Sequence, residues 1–185
     1  MKKTNGKIVL FNSLKVLCVS AFLAALSIVF GKYLAINVGE VLRFSFENMP
    51  IMFASIAFGP LVGMAVGIVA DLVGCVLVGF TINPVVTLGA AAVGLFSGLT
   101  YHLLTKFSKL NHPIKITLSV AVAHIIGSLV IKTVGLAAYF SMPFFVLMLW
   151  RLLNYAIIGV LDGVLLWYLF KNKLILNQIK SILRK

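Results

Sequence analysis

The sequence predicts an all-α membrane protein: a compact bundle of six transmembrane helices, with both termini cytoplasmic. Three observations carry that expectation. Of 185 residues, 62% are hydrophobic and 11% charged, and the mean hydropathy is +1.13; soluble domains carry about 25% charged residues. The apolar runs are apolar on every face, whereas the strands of a membrane barrel alternate polar and apolar residues. The basic residues stand at the ends of those runs: Lys2, Lys3, Lys7 and Lys15 before the first, Lys106, Lys109 and Lys115 in one loop, and Lys171, Lys173, Lys180, Arg184 and Lys185 at the end. These twelve of sixteen mark the cytoplasmic side, and basic ends on the same side require an even number of spans. A net charge of +12 arranged in this way belongs to membrane topology, and no nucleic-acid partner is expected.

At ~20 apolar residues per span, the chain is read as one integral membrane domain over 1–185. The first helix is expected at about 14–34. It follows a basic stretch but has no small-residue cleavage site and is long enough to span, so it is read as a helix and not a signal peptide. A mixed segment follows, carrying Glu40, Arg43 and Glu47. Residues 48–80 would make ~50 Å of helix against a ~30 Å hydrocarbon core, so the run must break. Gly59-Pro60 is the break, because proline lacks an N–H and disfavours helix in the residue before it. It gives a short second helix, 48–58, and a third at about 60–79. Asn83 as N-cap and Pro84 at the first position open the fourth, about 84–104. The fifth and sixth are expected at about 114–140 and 143–170. Small residues at four-residue spacing (Gly59, Gly63 and Gly67; Ala90, Gly94 and Gly98; Gly159 and Gly163) predict close helix crossings. Cys18 and Cys75 lie in apolar runs and are read as packing residues.

Asp71 is the only charge between residues 48 and 80. An acid at the centre of a span costs ~2.5–3.5 kcal/mol, so it marks a candidate functional site. Counted at 1.5 Å per residue from the outer ends of their helices, Asp71, Lys132 and Arg151 reach one common level. His124, Ser128 and Lys132 form an i, i+4, i+8 polar stripe, and Arg151 and Asn154 are three apart on the sixth helix. A cavity open to the outside and lined by these groups with Tyr139 and Trp150 fits the pattern. The alternative is a structural bridge from Asp71 to Lys132 or Arg151. One acid does not neutralise two bases, however, and Arg43 adds a third, so an anionic ligand is expected. His124 is read as a packed, hydrogen-bonded histidine, and Asp162 lies deeper, toward the cytoplasmic side. No H-E-x-x-H, G-x-S-x-G, Cys/His metal spacing or Walker A motif is present, so no catalytic residue, cofactor or metal is expected.

The stretch RFSFENMPIMFASIAFGPLVGMAVGIVADLVGC (43–75), followed by INPVVTLGAAAVGLFSG (82–98), resembles the substrate-binding S components of energy-coupling factor (ECF) vitamin transporters, most closely the folate-specific FolT family. The resemblance covers about a third of the chain. It implies a multi-pass protein of a prokaryotic cell membrane that captures a vitamin outside, in a pocket covered by the loop between the first two helices. It also implies partners: a membrane coupling subunit (the T component) and two ABC-type ATPases, which hydrolyse ATP for the uptake. In that family an Ala-x-x-x-Ala on the first helix meets the coupling subunit, and Ala21 and Ala25 match it. The donor-rich edge of a pterin suits a carboxylate, Asp71 or Glu47, and the two carboxylates of a glutamate tail suit Arg43, Lys132 or Arg151. Asn83 and Asn154 offer amide contacts, and Phe44, Phe46, Tyr139 or Trp150 a stacking face. The alternatives are an S component for another anionic vitamin or precursor (pantothenate, niacin or a queuosine precursor), or a small intramembrane enzyme.

Overall fold

The computed structural model describes residues 13–38, 42–140 and 143–183. Lys2, Lys3, Lys7, Glu40, Arg184 and Lys185 lie outside the described residues, as does the side chain of Arg43. Helix α1 (Leu14–Ile28) passes into a π-helical turn, Val29–Tyr33. The mixed segment that follows holds an element that composition did not predict. Strands β1 (Ile36–Val38) and β2 (Leu42–Phe44) pair antiparallel, with Ile36 opposite Phe44.

Helix α2 (Asn48–Phe58) ends where Gly59 takes φ +116°, a backbone that suits glycine, and Pro60 opens α3 (Pro60–Val78). Gly79, at φ +70°, closes α3. Asn83 caps α4 (Pro84–Phe107) by accepting from the Val85 and Val86 amides. Then α5 (His112–Ala123), a π-helical segment (His124–Ile131) and α6 (Lys132–Phe140) form one continuous helical stretch. Helix α7 (Phe144–Lys171) follows, and α8 (Lys173–Leu183) comes from residues expected to be only a basic tail. Leu176, Ile179 and Ile182 fold α8 back onto the core, and its lysines face outward.

Among the described residues, five helical stretches are long and apolar enough to cross a bilayer. The expected sixth, α2, has 11 residues, or ~16 Å of helix, and does not cross ~30 Å by itself. It is cut short by the hairpin before it and by Gly59-Pro60 after it. The core runs through all the long helices, with Val16, Met52, Val62, Val93, Ile116 and Leu166 fully buried.

Helices α3 and α4 cross closely. A Cβ on Gly67 would stand 2.9 Å from the Ala90 carbonyl carbon, and one on Gly94 2.6 Å from the Met64 nitrogen. Ser55 of α2 donates its hydroxyl to the Gly94 carbonyl, tying α2 to α4 at this crossing. The expected close crossing at Gly159 and Gly163 is not there: a Cβ would meet nothing nearer than His124 Cδ2 at 3.5 Å and Thr117 Oγ1 at 3.9 Å. A wide groove runs between α5 and α7 instead. The bundle therefore has a basic end, with the α4–α5 turn and α8, and a hairpin end, with β1, β2 and the α3–α4 turn.

Candidate functional site

Lys132 opens α6 directly after the π-helical segment and is 4% exposed. A charge buried in a bundle must be paired, and the start of α2 supplies the acceptors. Lys132 Nζ is 2.7 Å from Glu47 Oε1 and donates to Asn48 Oδ1 at 3.3 Å. Asn48 also donates to Ser128 Oγ at 3.2 Å, and Ser27 Oγ donates to the Glu47 carbonyl at 2.6 Å. Residues 27, 47, 48, 128 and 132 thus knit α1, α2 and the π-helical segment at one level.

Asp71 of α3 faces the same place. It is half-buried, and its Oδ2 accepts from Thr87 Oγ1 of α4 at 2.6 Å. Neither bridge of the alternative reading forms. Lys132 goes to Glu47, and Asp71 makes no ion pair with Lys132 or Arg151 among the described residues. Lys32, from the π-helical turn after α1, lies 3.7 Å from Cys75 Sγ and 5.4 Å from the centre of the Phe80 ring. Together Lys32, Glu47, Asp71 and Lys132 line a cleft of about 20 Å³ toward the hairpin end. That volume holds roughly one water. Two acids and two bases at one cleft can read a donor-rich edge and receive an anion.

The other expected site residues are spread more widely. Arg151 shares the predicted level but not the cleft: its Nη2 donates to the Ser128 carbonyl and to Tyr155 Oη, both at 3.0 Å, and its guanidinium stacks on the Tyr155 ring. Equal depth fixes a level, not a direction around a helix axis. Trp150 and Tyr139 are about half exposed and do not line this cleft. Asn154 is buried on α7 and does not line the cleft. Asn83 spends its carbonyl oxygen on the cap and donates Nδ2 to the Gly135 carbonyl at 2.9 Å, tying α4 to α6. Phe44 is half-buried at the end of β2, three residues before Glu47, while Phe46 is exposed; Arg43 pairs with Asn37 in the hairpin. Ala21 and Ala25 are both exposed, on an outward stripe of α1 with Leu17, Cys18 and Phe22.

Lys32, Ser27, Gly31 and Thr87 belong to the site and were not singled out from sequence. The signal that chose Asp71, a single charge in an apolar run, also marks Lys32, the only charge between residues 16 and 34. A larger hollow, about 250 Å³, is the apolar lateral groove between α5 and α7. Its floor holds His124, whose Nε2 lies 3.1 Å from Asp162 Oδ2, so this histidine is packed and hydrogen-bonded as expected, with Asp162 as the partner. Charge converges in the smaller cleft, and that is the candidate site.

The family model described as "ECF transporter, substrate-specific component" matches residues 15–180. A curated relative, the folate transporter FolT of Clostridium novyi (strain NT), is 25% identical over 169 residues, covering 86% of this chain and 91% of that protein. A crystal structure of FolT bound with folic acid superimposes with a TM-score of 0.69 at 22% identity, over 86% of this chain and 95% of that one. The S component of a bacterial ECF transporter gives 0.64 at 16% identity, over 92% and 98%. An S-component for biotin from an ECF-type ABC transporter gives 0.62 at 19%, over 86% and 92%.

Proposed function

This chain belongs to the substrate-specific components of ECF transporters, and from that premise we propose that its ligand is folate or a closely related pterin-glutamate vitamin, captured from outside a prokaryotic cell. The chain is thus a transporter binding subunit and not an enzyme. One observation carries the choice of ligand site: Asp71 and Lys132 converge with Lys32 and Glu47 on a single cleft near the hairpin. Asp71 reads the pterin edge, since Thr87 engages only Oδ2 and leaves Oδ1 to accept from the ring. Lys132 receives a carboxylate of the glutamate tail. Phe44 supplies an aromatic face. The relative named FolT and the folic-acid complex of similar fold support this ligand over other vitamins.

Six helices, counting the short α2, with both ends cytoplasmic, are supported by the lysines gathered at one end of the bundle. The membrane coupling subunit docks on the outward stripe of α1 around Ala21 and Ala25, whose exposure leaves close-approach residues free for a partner helix. Two ABC-type ATPases on other chains supply the energy. The test is binding of radiolabelled folate to the detergent-purified chain. Displacement by unlabelled folate but not by pantothenate or niacin supports the assignment; saturable binding of one of those, with none of folate, overturns it.

A further inference from the structure

A lysine buried at the depth of Lys132 needs an acceptor before a ligand arrives as well as after. Glu47 fills that role, at 2.7 Å, but the two partners are held unequally. The Lys132 side chain is 5% exposed and the Glu47 side chain 27%. Glu47 sits at the end of the segment that joins β2 to α2, and its main chain is pinned separately, by Ser27 Oγ on its carbonyl at 2.6 Å. A rotamer change therefore releases the carboxylate from Lys132 while the backbone stays in place. Gly31 forms the seat: a Cβ there would stand 2.8 Å from Glu47 Oε2 and 2.9 Å from its Cβ. Asn48 Oδ1, at 3.3 Å, holds Lys132 from another side and keeps the base partly satisfied when Glu47 leaves. The cleft holds only about 20 Å³, so an incoming carboxylate reaches Lys132 by taking Glu47's position.

We infer that Glu47 is an internal stand-in for a ligand carboxylate, seated on Lys132 until the ligand's own carboxylate displaces it. This rests on the reading of the cleft as the site of a carboxylate-bearing vitamin, and it separates the two acids: Asp71 recognises the ligand, and Glu47 competes with it. A ligand without a carboxylate leaves the Glu47–Lys132 pair intact.

Two measurements test it, one independent of the vitamin. Thermal unfolding of purified Glu47→Ala is followed with increasing sodium formate, against sodium chloride at equal ionic strength. Formate is expected to raise the midpoint of Glu47→Ala saturably and to leave wild type and Glu47→Ala/Lys132→Met unmoved. Absence of a formate-specific shift, or an equal shift in the double variant, overturns the inference. Should Glu47→Ala not fold, Gly31→Ala displaces the same side chain while keeping every charge, and the same formate dependence is expected. In the second measurement, folate is titrated into wild type, Glu47→Gln and Lys132→Met. Glu47→Gln is expected to bind about threefold tighter or better, and Lys132→Met about tenfold weaker or worse. Weaker binding by Glu47→Gln makes Glu47 a ligand contact and overturns the stand-in role. A formate response without folate binding removes the vitamin assignment alone; folate binding without a formate response removes the stand-in alone.

Discussion

His124 and Asp162 are 3% and 0% exposed, and each keeps a second polar atom, Nδ1 and Oδ1, with no hydrogen-bond partner among the described residues. Their one mutual contact, 3.1 Å long, therefore carries most of what offsets their burial. Replacing His124 with leucine leaves a wholly buried carboxyl without its partner. That costs ~1–3 kcal/mol for a neutral pair and ~3–5 kcal/mol for an ionic one, so a loss of at least ~1 kcal/mol is expected. Asp162→Leu should cost about the same. The double variant His124→Leu/Asp162→Leu removes both desolvated groups and is expected within ~1 kcal/mol of wild type, a coupling of ~1 kcal/mol or more. The assay is unfolding of the micelle-embedded protein by added sodium dodecyl sulfate, read from the fluorescence of Trp150 and Trp167. Interhelical hydrogen bonds in membranes average only ~0.6 kcal/mol, because the unfolded chain finds other partners there. Single-variant losses at or below that value, or a double variant as unstable as the sum of the singles, would refute the reasoning.

Gly94→Val should destabilise by ~1–3 kcal/mol in the same assay, because its Cβ would overlap the Met64 nitrogen at 2.6 Å; Gly159→Ala, with 3.5 Å of clearance, should stay within ~0.5 kcal/mol. Asn83→Ala removes a cap and the tie to the Gly135 carbonyl, and should lower stability by ~2 kcal/mol, measured by thermal unfolding. Ala21→Trp and Ala25→Trp place bulk on an exposed stripe, so the isolated protein should keep its stability to within ~0.5 kcal/mol. Copurification with the coupling subunit should be lost; unchanged copurification would place the docking face elsewhere.

Local chemistry made much of the architecture legible. The break at Gly59-Pro60, the cap at Asn83 and the buried stripe of His124, Ser128 and Lys132 follow from rules acting within a few residues. What escaped the sequence depends on long-range geometry or on weak patterns. Glu47 and Lys132 are 85 residues apart, and nothing along the chain selects Glu47 over Asp71 as the partner of that base. The three-residue strands β1 and β2 are too short for alternation to show. Helix α8 does carry a periodic signal, in Leu176, Ile179 and Ile182, but its lysines made it read as a tail. Arg151 has the predicted depth, but its guanidinium is bound to Ser128 and Tyr155 and does not line the cleft. Trp150 and Tyr139 are half exposed, and Tyr139, one residue from the end of α6, stands where aromatic rings suit the membrane boundary.

The central claim is that the lone carboxylate of α3 holds a vitamin, and calorimetric titration of wild type and Asp71→Asn with folate tests it most directly. Asparagine keeps the volume and removes the charge. Tight binding by wild type with a loss of at least tenfold in Asp71→Asn, ~1.4 kcal/mol, is the predicted result. Equal affinity in the two proteins would make Asp71 a structural partner of Thr87, and a folded wild type that binds no folate would contradict the assignment of the ligand.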